Sequence, residues 1–270
     1  MLMKLHFLLF LLCFAGTLSA QSTGRWITLF NGKNLDGWTA KISGYEAGDN
    51  FANTYRVENG VIKTAYDGYD DNFNNRFGLL FYEKPFSHYR LKLKYRFTGE
   101  QCKGVAEWAW RNSGVMIHSQ SPQSMPRDQD FPISLEVQFL GGDGTNERPT
   151  GNLCTPGTHV VINGKLEEQH CITANAPTIP GDRWVRAEVL ALGDSLIQHI
   201  IEGKVVISYS KPVIGGTVVS KYDPAAKKDG MPLTGGYIAL QSESHPIEFK
   251  QIKLMILDEN GRPVRTQKRK

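Results

Sequence analysis

Tyr89-Arg-Leu-Lys-Leu-Lys-Tyr-Arg-Phe97 alternates apolar and basic side chains without a break. A strand sends successive side chains to opposite faces. Tyr89, Leu91, Leu93, Tyr95 and Phe97 are therefore expected on a core face, with Arg90, Lys92, Lys94 and Arg96 in solvent. The same texture continues on both sides. Upstream, Trp26 to Trp38 is a short apolar run with turns at Asn31-Gly32 and Asp36-Gly37, and Tyr55 to Thr64 is two strands about Asn59-Gly60. Downstream, Thr158 to Glu167 turns at Asn163-Gly164, Trp184 to Leu192 alternates, and Leu196 to Tyr209 turns at Glu202-Gly203. Gly235 to His245 and Ile247 to Leu257 close the series. Such dipeptides supply the positive φ of tight hairpins. No helical period persists, and no linker interrupts the chain between Trp26 and Asp258. The expected fold is all-β, a single-domain jelly-roll sandwich.

The chain has 270 residues, 40% of them hydrophobic and 10% aromatic, enough to bury a full core. Residues 1–20 read as an exported protein's leader: Lys4 near the start, an apolar stretch from Leu5 to Phe14, then small residues up to Ala20. The apolar stretch is shorter than the roughly 20 residues of a membrane span, and no later segment is long and apolar enough. The sandwich is expected over residues 21–258 and a basic tail over 259–270, in a protein located in the periplasm or secreted. The formal net charge is +4, and the tail concentrates Arg262, Arg265, Lys268, Arg269 and Lys270. Basic residues interleaved with aromatics along one element, the footprint of a nucleic-acid face, are not found. Beyond the leader stand Cys102, Cys154 and Cys171. In an exported protein the expected disulfide is Cys154 with Cys171, which encloses a Pro-Gly turn and a hairpin; free thiols or a bond to Cys102 are the alternatives.

The chemistry concentrates between Trp110 and Gly157. Strand alternation puts Asn112, Gly114, Met116 and His118 on one side of the first run, and Ser134, Glu136 and Gln138 on one side of the second. If the two runs share a sheet, His118, Glu136 and Gln138 share a face, and a Glu held over a sheet has its pKa moved toward that of a useful base. The solvent face of an amphipathic strand is the competing account. Late in the chain, Leu240-Gln-Ser-Glu-Ser-His-Pro246 offers Gln241, Glu243 and His245, the last either a loop residue or part of a site. His159, His170 and His199 lie in separate segments without ligand spacing. No nucleophile elbow, phosphate loop or dinucleotide fingerprint is present.

Four motifs together resemble the 3-keto-disaccharide hydrolase family: Leu29-Phe-Asn-Gly-Lys-Asn-Leu-Asp-Gly-Trp38, Asn112-Ser-Gly-Val115, Leu135-Glu-Val-Gln138, and Gly236-Tyr-Ile-Ala-Leu-Gln-Ser-Glu-Ser-His245 with Ile247-Glu-Phe-Lys-Gln-Ile252. The resemblance spans about Trp26 to Leu257. It implies a concanavalin-like jelly roll, export, and action on glycosides whose sugar carries a ketone at C3. His118 stands where that family often has Arg, and Thr150 to Gly157 looks like a subgroup feature. A C3 ketone acidifies the C2 proton, so a base can form an enolate that expels the C1 substituent, after which water adds back.

The roles expected on this basis are Glu136 as base, His118 or His245 as acid or metal ligand, and Asn112, Gln138 and Gln241 as donors to sugar or enolate. Arg111 and Trp110 are expected to bind substrate beside them, and a divalent metal could polarise the ketone. A conventional glycosidase pairing Glu136 with Asp128 or Asp130 is the enzymatic alternative. A non-catalytic sugar-binding module with Trp108, Trp110 and Tyr82 as its aromatic platform is another, and a structural surface domain predicts no pocket at all.

Overall fold

Short strands separated by Gly and Asn turns fold here into two stacked antiparallel sheets, a jelly-roll sandwich of concanavalin-like type, in a computed structural model that describes residues 24–264. In chain order the strands begin β1 (Ile27–Thr28), β2 (Trp38–Ile42), β3 (Tyr55–Glu58), β4 (Val61–Thr64), β5 (Gly78–Tyr82) and β6 (His88–Phe97). The middle of the chain forms β7 (Asn112–Ser119), β8 (Leu135–Leu140), β9 (Asn152–Cys154), β10 (Thr158–Ile162), β11 (Lys165–Glu167) and β12 (Cys171–Ile172). The last are β13 (Val185–Leu192), β14 (Leu196–Ile201), β15 (Lys204–Ile214), β16 (Tyr237–Ser242) and β17 (Ile247–Ile256). One sheet has ten strands in the order β11-β10-β15-β14-β13-β6-β17-β4-β3, with β1 added on β17; the other has seven, β12-β9-β8-β7-β16-β5-β2.

The alternation in β6 is realised as expected, its odd-numbered residues buried between β13 and β17. The core fills the space between the sheets. Tyr95 of β6 stacks on Phe139 of β8 with ring centroids 4.0 Å apart, and its hydroxyl meets Thr150 Oγ1 at 2.7 Å. Leu135, Val137 and Phe139 all point into this core. The opposite parity of β8, Glu136, Gln138 and Leu140, is thereby turned to the outer face of the seven-stranded sheet. Part of that outer face is covered: Leu79, Phe81, Met116 and Ala239 pack under Met125 and Phe131 of the loop between β7 and β8. Lys41 Nζ donates to Arg127 O at 2.9 Å and holds this loop down. The rest of the face is open.

Among the described residues, no helix is long and apolar enough to cross a membrane. The leader expected at residues 1–20 lies outside the described residues, as do residues 265–270 of the tail. The first part of the tail is structured rather than free. Asp258 Oδ1 accepts from the Asn260 and Arg262 amides, and Val264 N donates to Ile256 O. Cys154 and Cys171 sit directly opposite on β9 and β12 and form the expected disulfide, while Cys102 is a buried free thiol.

Candidate active site

The open part of the outer face is a cleft of about 610 Å³, floored by β7, β8 and β16 and their ends. Asn112, Glu136, Gln138, Leu140, Arg148 and Glu243 are among its lining side chains. The register explains why they meet. Met116 pairs with Glu136 and Gly114 with Gln138 across β7 and β8, while Leu240 pairs with Val115 across β16 and β7. Gly114 is required by this arrangement, because a Cβ there would lie 2.7 Å from Glu136 Oε1 and 2.9 Å from its Cγ. The missing side chain is the space in which the Glu136 carboxyl lies.

Glu136 is only 5% exposed and Glu243 only 3%. Burial raises the Glu136 pKa above the usual carboxylate range. Burial first, and then the negative charge of Glu136, raises that of Glu243 further. Two buried carboxyls that feel one another cannot both ionise near neutral pH, so the pair holds a proton. Burial is the first cause of both shifts, so the pair taken as a unit keeps a proton at pH values where an ordinary glutamate is ionised. Gln241 Nε2 donates to Glu243 Oε1 at 3.0 Å, which leaves Oε2 unpartnered. Gln138 Oε1 accepts from Asn152 Nδ2 at 3.0 Å, and Asn152 is itself tied to Pro149 O and the Ala174 amide. The free Gln138 amide NH2 is thus oriented as a donor. Arg148 donates to Gly141 O and Trp110 O, both at 2.8 Å, and brings a positive charge to the cleft wall.

Asn112 Oδ1, Glu136 Oε1, Gln241 Oε1 and Glu243 Oε2 are buried without a hydrogen-bond partner. Four unpartnered oxygens on adjacent strands are a hard-donor set, which fits Ca²⁺ or Mg²⁺ better than a softer ion. The sulfur alternative fails. Cys154, His170 and Cys171 come together, but both sulfurs belong to the disulfide.

Several expected residues are placed elsewhere. His118 lies on the core side, fully buried, with Nε2 donating to Gly193 O at 2.9 Å and its ring 6.2 Å from Tyr89. A β-bulge between the Tyr237–Ser119 and Ala239–Met116 pairs, with His118 at φ 49°, reverses the alternation at this point. His245 stands edge-on to Trp110 and Phe97 with neither ring nitrogen partnered, and it does not line the cleft. Burial, and then the charges of Arg111 and Arg148, lower its pKa to about 4. It is neutral near pH 7 and is no acid there. The guanidinium groups of Arg111 and Arg148 both lie over the Trp110 ring, 4.6 and 5.2 Å from its centroid, and Arg111 donates to Gly142 O. Both support the wall from behind. Of Trp108, Trp110 and Tyr82, only Trp108 lines the cleft, and Tyr82 packs on Trp38. Asp130 accepts from Ser220 N and Oγ, and Asp128 is also absent from the cleft lining; the partner carboxyl of Glu136 is Glu243.

Glu243 and Arg148 are the two residues of the site that the sequence pattern does not assign to it. Glu243 carries a signal, because it lies two residues beyond Gln241, on the same face. Arg148 lies in a loop and carries none.

Comparison with curated proteins found no match. Two Parabacteroides distasonis proteins, named provisionally as glycosyl hydrolases, have similar crystal structures. The first is 18% identical with a TM-score of 0.51, over 86% of this chain and 100% of that one. The second is 22% identical with a TM-score of 0.52, over 87% of this chain and 94% of that one. At this identity the likeness shows the shared sandwich alone. The sequence profile described as the 3-keto-alpha-glucoside-1,2-lyase-like domain matches residues 25–255, nearly all of the sandwich, and so the chain belongs to the 3-keto-disaccharide hydrolase family.

Proposed function

We propose that this protein is an exported enzyme that cleaves glycosides of 3-keto sugars by elimination across C1 and C2 followed by hydration. The observation that carries the reading is the pair of buried carboxyls, Glu136 and Glu243, on the floor of one cleft, both raised in pKa by burial; in the working form one is ionised and the other protonated. Ionised Glu136 takes the C2 proton made acidic by the C3 ketone, and the negative charge moves to the C3 oxygen. Arg148 and the Gln138 amide are the positive and hydrogen-bonding groups available to that oxygen. The C1–O bond then breaks, and Glu243 gives its proton to the departing oxygen. Hydration runs the roles in reverse. Water adds at C1 as Glu243 takes its proton, and Glu136 returns a proton to C2. A divalent ion, when bound, would supply polarisation of the ketone; Asn112 Oδ1 and Gln241 Oε1 are the unpartnered neutral oxygens that would hold it.

The same carboxyl pair favours one second reading, direct hydrolysis of an unoxidised glycoside. Product identity separates the two. The protein is incubated with a 3-keto glucoside and with the parent glucoside, each with and without chelator, while the released alcohol and any unsaturated keto sugar are followed. Release from the 3-keto substrate alone, with a transient unsaturated sugar, is expected. Equal cleavage of the parent glucoside would overturn elimination. Glu136→Gln is expected to lower kcat by about 10²–10⁴-fold while still binding the substrate, and unchanged turnover would remove Glu136 from the mechanism. Export rests on the leader-like start and on the disulfide, which oxidising compartments preserve. A signal-cleaved N-terminus in protein recovered from the periplasm or medium tests it.

A further inference from the structure

The polar side chains of the cleft are confined to its floor and one wall, and the remaining lining is apolar. Trp108, Phe131, Pro156, Val218 and the Cys154–Cys171 disulfide line it, with His170 the polar exception. Trp108 is 53% exposed and Val218 is 39% exposed, and unlike the other exposed large apolar side chains among the described residues, both line this cleft. Both belong to a built rim. The Trp108 ring lies nearly parallel to Phe77, 5.9 Å between centroids at 14°, and Phe77 packs on Phe131 at 5.0 Å. Trp108 O accepts from Asn112 Nδ2, which ties the rim to the floor. The segment carrying Val218 is joined to the loop carrying Phe131 through Asp130, which accepts from both Ser220 N and Ser220 Oγ.

Resting on the reading of the floor as the site of the 3-keto sugar, we infer that this rim is a leaving-group subsite for an apolar, aromatic aglycone rather than for a second sugar. A sugar unit carries hydroxyls around its whole edge. A pyranose can lay its C–H face on Trp108, but apart from His170 the rim side chains lining the cleft give its hydroxyls no partner, so the rim supplies contact area without the directional recognition a second sugar needs. An aromatic group needs no such recognition, and it gains a rigid indole face already supported by Phe77 and Phe131. The cleft volume of about 610 Å³ is that of pockets holding whole drug-sized ligands, which leaves room beyond one hexose.

The test compares the 3-keto derivative of 2-phenylethyl α-glucoside with the 3-keto derivative of an α-linked glucose disaccharide. The phenylethyl alkoxide is the poorer leaving group, so intrinsic reactivity opposes the expected result. The expected kcat/KM is at least tenfold higher for the phenylethyl substrate, carried mainly by KM. Trp108→Ala and Val218→Ser, both at half-exposed positions, are expected to bring the ratio of the two substrates toward one. Binding of both compounds to the Glu136→Gln protein is measured by calorimetry in parallel. If neither compound is cleaved, the elimination reading of the floor fails, and tighter binding of the phenylethyl compound still upholds the apolar subsite. Equal or stronger binding and turnover of the disaccharide overturns the subsite, whatever the chemistry on the floor.

Discussion

Glu136 and Glu243 owe their chemistry to where they are buried rather than to any unusual neighbour. Because burial raises both carboxyls, the ionised base exists only at a pH well above the usual glutamate value of about 4.3. The acid limb of kcat/KM should therefore lie well above that value, and Glu243→Gln should remove the alkaline limb while keeping the acid one; a pH–rate profile reads both. Stability carries the opposite sign. With folded pKa values above the unfolded ones, the folded state binds more protons, so this contribution is present at low pH and is lost as pH rises from about 4.5 through the folded values. Glu136→Gln should accordingly melt higher than the parent at pH 8.5 by roughly 2–4 °C per kcal/mol gained, with the gain shrinking at pH 5. Thermal melts at the two pH values check this.

Strand parity and its interruptions decide which residues reach the cleft. Period-two patterns in β6, β7 and β8 make the core face, and the placement of Asn112, Glu136 and Gln138, legible in the amino-acid order alone. Parity fails at His118, because one extra residue in β7 turns it inward and a bulge leaves no mark in hydrophobic spacing. Glu243 escapes assignment because it lies just past the last residue of β16, in a polar string that reads as a loop. Arg148 comes from a loop whose position depends on contacts to Gly141 and Trp110 that no local pattern encodes. Gly114→Ala should drop kcat more than tenfold and destabilise by about 1–3 kcal/mol, since its Cβ meets the Glu136 carboxyl and also Val137 O at 3.0 Å; steady-state kinetics and urea melts measure the two effects. On the cleft edge, the disulfide spans a separation of 17 residues and pins the two-residue strand β12 to β9. Replacing both cysteines by serine should cost about 3 kcal/mol, read by denaturant unfolding.

At the scale of the whole molecule, buried histidines stitch the two sheets together at separate points. His118 donates to Gly193 O, at the β13–β14 turn. His199 on β14 uses Nδ1 on Gly151 O and Nε2 on the Tyr209 hydroxyl. Burial lowers the His199 pKa from 6.5 to about 4. Its neutral form is the one that fits, so the unfolded chain binds the extra proton between these values. Stability is full above about 6.5 and falls as pH drops toward 4, by on the order of 3 kcal/mol from this residue. Urea unfolding at pH 7 and pH 4.5 should show the loss, and His199→Gln should flatten it.

The floor of the cleft lies on adjacent strands whose inward residues are the core itself. A slip of one residue in β8 would send Glu136 among Tyr95 and Phe97 and bring Val137 into the cleft. The Glu136 carboxyl is therefore fixed by strand pairing on both sides rather than by a loop. Its geometry is inherited from the same hydrogen-bonded ladders that define the fold, and the fraction of active enzyme at any temperature is the fraction that has kept its strands in step.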